Sequence, residues 1–171
     1  TPGSTQSGQP GDGQLTEFHT GSFFRAASAA SDMTLVELDD PPVGAFNHFW
    51  AGWDRNPGDV VCTGLTPCAG IHHPNNDEKR ITYSLTNMVP SSWGGTPPPT
   101  PGDGTHLWVH WATDPPGPFT VPGVTEPGSS GSPVYDADGQ FVGQLHGGAS
   151  ACGATGDNLS DMYGRFSVSW T

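Results

Sequence analysis

The chain is poor in charge, and poorest in positive charge. Only 13% of its 171 residues are Asp, Glu, Lys or Arg. The five cations are Arg25, Arg55, Lys79, Arg80 and Arg165, and only Lys79 and Arg80 are neighbours. Against 17 acidic residues they leave a formal net charge of −12. No basic patch exists to neutralise phosphates, which argues against nucleic acid as a partner. Long apolar runs are also absent, and nothing approaches the roughly 20 residues a helix needs to span a bilayer. The excess of Ala, Glu, Lys and Leu that marks a helical bundle or coiled coil is missing. Cysteine is scarce and its count of three is odd.

Turn-forming and aromatic residues are plentiful. The 25 Gly and 18 Pro make up a quarter of the chain, alongside six Trp and eight Phe. That mixture predicts short strands joined by many turns, with enough aromatic surface to bury a core. The length fits one domain or two small ones. Few Lys, much Gly, Ser and Thr, and some Cys fit a secreted, extracellular protein. The opening Thr1-Pro2, without an apolar leader, leads us to expect a mature or processed product.

Residues 1–13 are a Gly/Pro/Ser segment expected to form a surface loop or frayed terminus. Strand-like runs follow at 22–27, 33–38, 45–51, 70–73, 80–85, 106–111, 133–135, 141–146 and 162–170. Asp138-Gly139 between two of them is a hairpin signal. Residues 96–104 and 112–123 read as Pro-rich ordered excursions, and no helix of more than a turn or two is expected. The coarse expectation is all-β, an antiparallel sandwich or barrel. Cys62 and Cys68 flank a Gly- and Pro-containing turn, so a local disulfide is plausible, leaving Cys152 as a free thiol or half of an intermolecular bridge.

One segment carries chemistry, Gly128-Ser129-Ser130-Gly131-Ser132-Pro133. A nucleophilic serine must stand out of a tight turn with backbone N–H groups aimed at the developing oxyanion, and flanking glycines permit both. Ser130 would be the nucleophile, and the Gly128 and Ser130 N–H groups the oxyanion hole. By itself the motif is equally a Gly/Ser loop without chemistry.

Its context resembles the trypsin-fold serine proteases, and more closely the lysyl endopeptidase family of secreted bacterial proteases. The resemblance runs over about residues 20–171. It rests on Ser31-Asp32-Met33-Thr34-Leu35-Val36-Glu37-Leu38, Phe49-Trp50-Ala51-Gly52-Trp53-Asp54-Arg55, Ile71-His72-His73-Pro74, the serine motif, Gly143-Gln144-Leu145-His146-Gly147-Gly148 and Ser160-Asp161-Met162-Tyr163-Gly164-Arg165. It implies a trypsin-like double β-barrel with the second barrel complete and only the end of the first in this chain. The implied division is a flexible loop over 1–19, the end of the first barrel over 20–40, and the second barrel over 41–171.

Residue by residue, the resemblance makes Ser130 the nucleophile and Asp32 the carboxylate that orients the catalytic imidazole. Asp161 becomes the acid at the base of the primary specificity pocket, favouring Lys, since trypsin's own pocket acid would fall at Val124. His146 and Trp93 become a stacked pair beside the triad, although the loop after Trp93 is expanded by 97–101. Leu145 to Gly147 becomes the edge along which substrate backbone pairs. Cys152 matches a cysteine that bridges to the N-terminal region. No metal or organic cofactor is implied, and the adjacent His72 and His73, with Asp77 nearby, are not expected to bind a metal because neighbouring strand residues face opposite ways.

The base is missing. In this fold the order is His, Asp, Ser. Only His19 precedes Asp32, without the expected surrounding signature and too close to it. The expectation is therefore a protease part whose catalytic His lies on a separate N-terminal chain, linked through Cys152 and acting on polypeptide substrates. The alternative is a catalytically inactive protease-like domain used for binding or structure. A relative with Glu specificity is a further alternative.

Overall fold

The computed structural model describes residues 16–46, 48–94, 101–117 and 123–170. The expected 1–13 loop, the 97–100 part of the insert and the 118–122 part of the second Pro-rich excursion lie outside the described residues.

Two sheets account for the strands. The first is a hairpin of β1 (Ser22–Ser28) and β2 (Met33–Leu38), paired antiparallel with a shift between Phe24 and Ala26. The second holds β3 (Cys68–His72), β4 (Arg80–Ser84), β5 (Val89–Ser91), β6 (His106–His110), β7 (Pro133–Tyr135), β8 (Phe141–Gly148) and β9 (Ser160–Arg165). Its spatial order is β4-β3-β7-β8-β9-β6-β5, with every neighbouring pair antiparallel. Among the described residues no pairing joins the outer strands β4 and β5, so the expected complete barrel goes beyond this ladder. A single-turn helix, α1 (Phe166–Ser169), follows β9.

The core sits on one side of the large sheet, where Met88, Leu107, Val109, Trp111, Val134 and Tyr163 are buried. Alternation along β3 turns Cys68, Gly70 and His72 inward. Every residue of β9 is buried, because it is covered on both faces. The turn of the first hairpin lies over it: a Cβ added to Gly164 would fall 1.7 Å from the Ser31 carbonyl oxygen. Ser31 is fully buried, its carbonyl accepts from Gln144 Nε2 at 2.7 Å, and its hydroxyl lies 2.7 Å from that of Ser169. The hairpin is thus anchored by its tip.

Three local outcomes differ from expectation. Among the described residues of 45–51 there is no strand: Gly44–Phe46 is a 3-10 turn and 48–51 join no ladder, with Phe49 86% exposed. The 162–170 run stops being a strand at Arg165, whose guanidinium donates to the carbonyls of Gly104, Pro57 and Gly58. β5 lies outside the expected strand runs; with Pro90 inside it, it survives as an edge strand, where a missing N–H costs no ladder bond. The Cys62–Cys68 disulfide is formed.

Candidate active site

The Gly/Ser segment folds as a closed turn. Ser129 N–H donates to Glu126 O at 3.0 Å, and Ser132 N–H to Ser129 O at 3.0 Å. Gly131 N–H reaches Leu145 O at 2.8 Å, and Leu145 N–H returns to Ser132 O at 2.9 Å. The turn is therefore laced to β8, a buried strand. Gly128 has φ +99°, and a Cβ there would lie 2.5 Å from Asn76 Oδ1, so both conformation and contact demand glycine. The outcome is a sorted pair of serines. Ser129 is 1% exposed, whereas Ser130 is exposed. Among the described residues nothing accepts from the N–H groups of Gly128 and Ser130. Beside them opens a cavity of about 410 Å³ lined by Ile71 to His73, Lys79 and 128–133.

Ser129 points inward to a histidine that the sequence reading had not placed in the site. His72, at the end of β3, is 1% exposed, with Nδ1 3.2 Å from Ser129 Oγ and Nε2 2.6 Å from Thr82 Oγ1. Burial first, then the electrostatic effect of neighbouring His73 and Arg80, lowers its pKa to about 4, so the ring is neutral. The inward alternation of β3 was the signal that could have found it.

Asp32 closes the tip of the first hairpin in a left-handed conformation, φ +51°, which Asp tolerates better than most side chains. His146 Nε2 lies 3.6 Å from Asp32 Oδ2. The His146 ring stacks on Trp93 at 3.5 Å and 7°. Gly147 permits this, since a Cβ there would press to 3.2 Å on the Trp93 ring. On its other side His146 Nδ1 meets His106 Nε2 at 3.0 Å, and His106 Nδ1 meets the Thr105 hydroxyl at 2.8 Å. Burial, then His146, lowers the His106 pKa against the opposing pull of Asp103 and Asp32. The sequence analysis gave His106 no role. The outer side of Asp32 remains open, its side chain 52% exposed. His19 sits elsewhere, edge-on to Phe46.

Asp161, the second residue of β9, is 2% exposed, and its Oδ2 accepts 2.6 Å bonds from both Trp111 Nε1 and Thr125 Oγ1. Desolvation raises its pKa, partly offset by Thr125, Trp111 and Ser150. A Cβ at Gly148 would fall 2.3 Å from Asp161 Oδ1, so glycine leaves that oxygen's surroundings clear. Cys152 is an exposed free thiol whose backbone N–H bonds Glu126 Oε1 at 3.2 Å. Among the described residues no group of three or more His, Cys, Asp or Glu side chains is placed to hold a metal.

An exposed hydroxyl on a glycine-flanked turn, beside two unengaged backbone donors on an all-β scaffold, is the layout of an acyl-transfer site of the serine-hydrolase kind. Residues 1–164 match the family model described as lysyl endopeptidase, C-terminal domain, and the chain belongs to that family. A lysyl endopeptidase of Pseudomonas aeruginosa is 31% identical over 144 residues, 81% of this chain and 26% of that protein. The chain thus spans about a quarter of that relative's length. Among solved structures, the Rv3671c protease in its inactive form aligns with TM-score 0.47 and 14% identity, over 85% of this chain and 60% of the other. A mutant of the same protein from M. tuberculosis H37Rv, also inactive, gives TM-score 0.46 and 13% identity over 85% and 58%. No helix among the described residues is long and apolar enough to cross a membrane.

Proposed function

We propose that this chain is the nucleophile-bearing part of a secreted serine endopeptidase of trypsin-like double-barrel fold that cleaves after Lys. The single observation that carries this is Ser130: exposed, between glycines, with the Gly128 and Ser130 N–H groups free to receive an oxyanion. Ser130 Oγ attacks the peptide carbonyl carbon while an imidazole removes its proton. The tetrahedral oxyanion is held by the two N–H groups, and the imidazolium then gives the proton to the leaving amine. Water repeats the sequence to release the acyl group.

In this reading the imidazole comes from an N-terminal polypeptide of the protease. Asp32, half-exposed beside the stacked His146 and Trp93, is the carboxylate that orients it. Residues 20–40 are then the end of a first barrel and 41–171 the second barrel, after a loop over 1–19. The hairpin supports this division. Phe23, Phe24, Leu35 and Val36 are all at least half exposed, as expected of strands waiting for the rest of a barrel. Cys152, exposed and unpaired, bridges to that N-terminal part. Asp161 lies at the base of the specificity pocket, and Gly147 offers the edge for substrate backbone.

A second reading, a protease-like binding or structural domain, is favoured by one observation. Asp161 is sealed, with Oδ2 already taken by two donors. The complete protein treated with a fluorophosphonate separates the two. Labelling at Ser130, lost in Ser130→Ala, is expected; an unreactive protein selects the binding domain. A peptide library cleaved after Glu rather than Lys would overturn the specificity. Unchanged intact mass on reduction would overturn the Cys152 bridge.

A further inference from the structure

We propose that His72 is a positioning residue for the oxyanion turn, holding Ser129 from behind and thereby fixing the two N–H groups on either side of it. The proposal rests on the reading of Ser130 as nucleophile. Ser129 stands between Gly128 and Ser130, so its side chain is the lever by which both amides are set.

Hydrogen-bond accounting gives the links of the tether. A neutral imidazole has one donor and one acceptor. Ser129 Oγ already accepts a long bond, 3.4 Å, from the Glu126 N–H. Its one proton needs an acceptor, and His72 Nδ1 lies 3.2 Å away. His72 Nε2–H is then the donor to Thr82 Oγ1 at 2.6 Å. In this tautomer the order is Glu126 N–H to Ser129 Oγ–H to His72 Nδ1, with Nε2–H to Thr82. The reverse tautomer, with Nδ1–H donating to Ser129 Oγ and the Thr82 hydroxyl donating to Nε2, keeps the same two links. The tether therefore stands in either tautomer, with Thr82 holding its far end.

The geometry gives this tether its purpose. The backbone bonds that close the turn, Ser129 to Glu126 and Ser132 to Ser129, lie within it and do not fix it to β3. Gly131 ties it to β8. The Ser129 side chain supplies the link to β3 and, through Thr82, to β4. Oxyanion donors act only when placed in advance to within a few tenths of an ångström, so loosening one wall of the turn is felt in the transition state rather than in ground-state binding. Were His72 only a packed core residue, Ser129 would be indifferent to losing its hydroxyl.

The test uses the complete protein and the variants Ser129→Ala, Ser129→Thr and His72→Asn, the first being the mildest to folding. Two quantities are read: the saturating rate and half-saturation concentration for fluorophosphonate labelling of Ser130, and amide exchange residue by residue. Ser129→Ala is expected to lower the saturating rate at least about tenfold with little change in half-saturation. It should also accelerate exchange at Gly131 and Ser132 while β9 stays protected. Ser129→Thr, which keeps the hydroxyl, should recover most of the rate. Equal labelling of wild type and Ser129→Ala, or unchanged exchange at Gly131 and Ser132, overturns the tether while leaving the nucleophile in place. Faster exchange through β9 together with weakened half-saturation shows a general folding role and also overturns it. A wild-type protein that takes no label overturns the nucleophile reading itself.

Discussion

The β1–β2 hairpin and the seven-stranded sheet are built from similar residues and end in opposite states. In the sheet, Leu107, Val109, Val134 and Tyr163 are at most 1% exposed. In the hairpin, Phe24 is 66% exposed and its apolar neighbours on both strands are near half. Only the hairpin's tip behaves like the sheet, with Ser31 buried against Gly164 and bonded by Gln144. A strand pair can be docked by one turn and still lack the layer its side chains were made for. Asp32 lies at that boundary, with one side on His146 and the other open.

Substitutions can break or sharpen this contrast. The largest effect is expected at Trp111, fully buried and bonded to Asp161. Trp111→Ala should cost about 3–5 kcal/mol by denaturant titration; a loss near zero would mean the sheet core does not carry the stability.

The His72 contribution should come next, and it has a sign. Its folded pKa is depressed to about 4, against an unfolded value of 6.5. The unfolded chain therefore binds more protons between those values, and stability falls as pH drops from 6.5 towards 4, by about 3 kcal/mol in all. Asp161 is shifted upward and works oppositely, favouring the fold at lower pH. The difference between the wild-type and His72→Asn stability–pH curves isolates the histidine; parallel curves would contradict it. Removing the Cys62–Cys68 bridge by paired Ala substitution opens a loop of sequence separation 6 and should cost about 2 kcal/mol, read as a shift in thermal midpoint on the sheet side only.

The smallest effect belongs to the hairpin. Phe24→Ser should change the stability of this chain by no more than about 0.5 kcal/mol, while weakening its association with the proposed N-terminal part in a pull-down. A cost comparable to Trp111→Ala would show that the hairpin already has its partner layer.

Much of the strand pattern was legible because alternation and turn residues act locally. Residues 33–38 and 133–135 were read with the bounds that β2 and β7 have. The Asp138-Gly139 turn is present, with Gly139 at φ +76°. Reading failed where a distant partner decided. Residues 45–51 have strand-like composition, but those of them that are described join no ladder. Pro90 hides an edge strand that β6 supplies with a neighbour. His72 and His106 looked like ordinary strand residues, because what gives each its role is a hydroxyl or ring on a strand far along the chain.

The amino-acid order by itself determined an all-β chain, the Cys62–Cys68 staple and the glycine-flanked serine, since these depend on neighbours a few residues apart. Only the tertiary structure decided which of two adjacent serines is buried and which faces solvent. It also decided that Asp161 is sealed by Trp111 and Thr125, and that Asp32 meets His146. Burial and long-range hydrogen bonding are properties of the packed whole, and no local pattern encodes them.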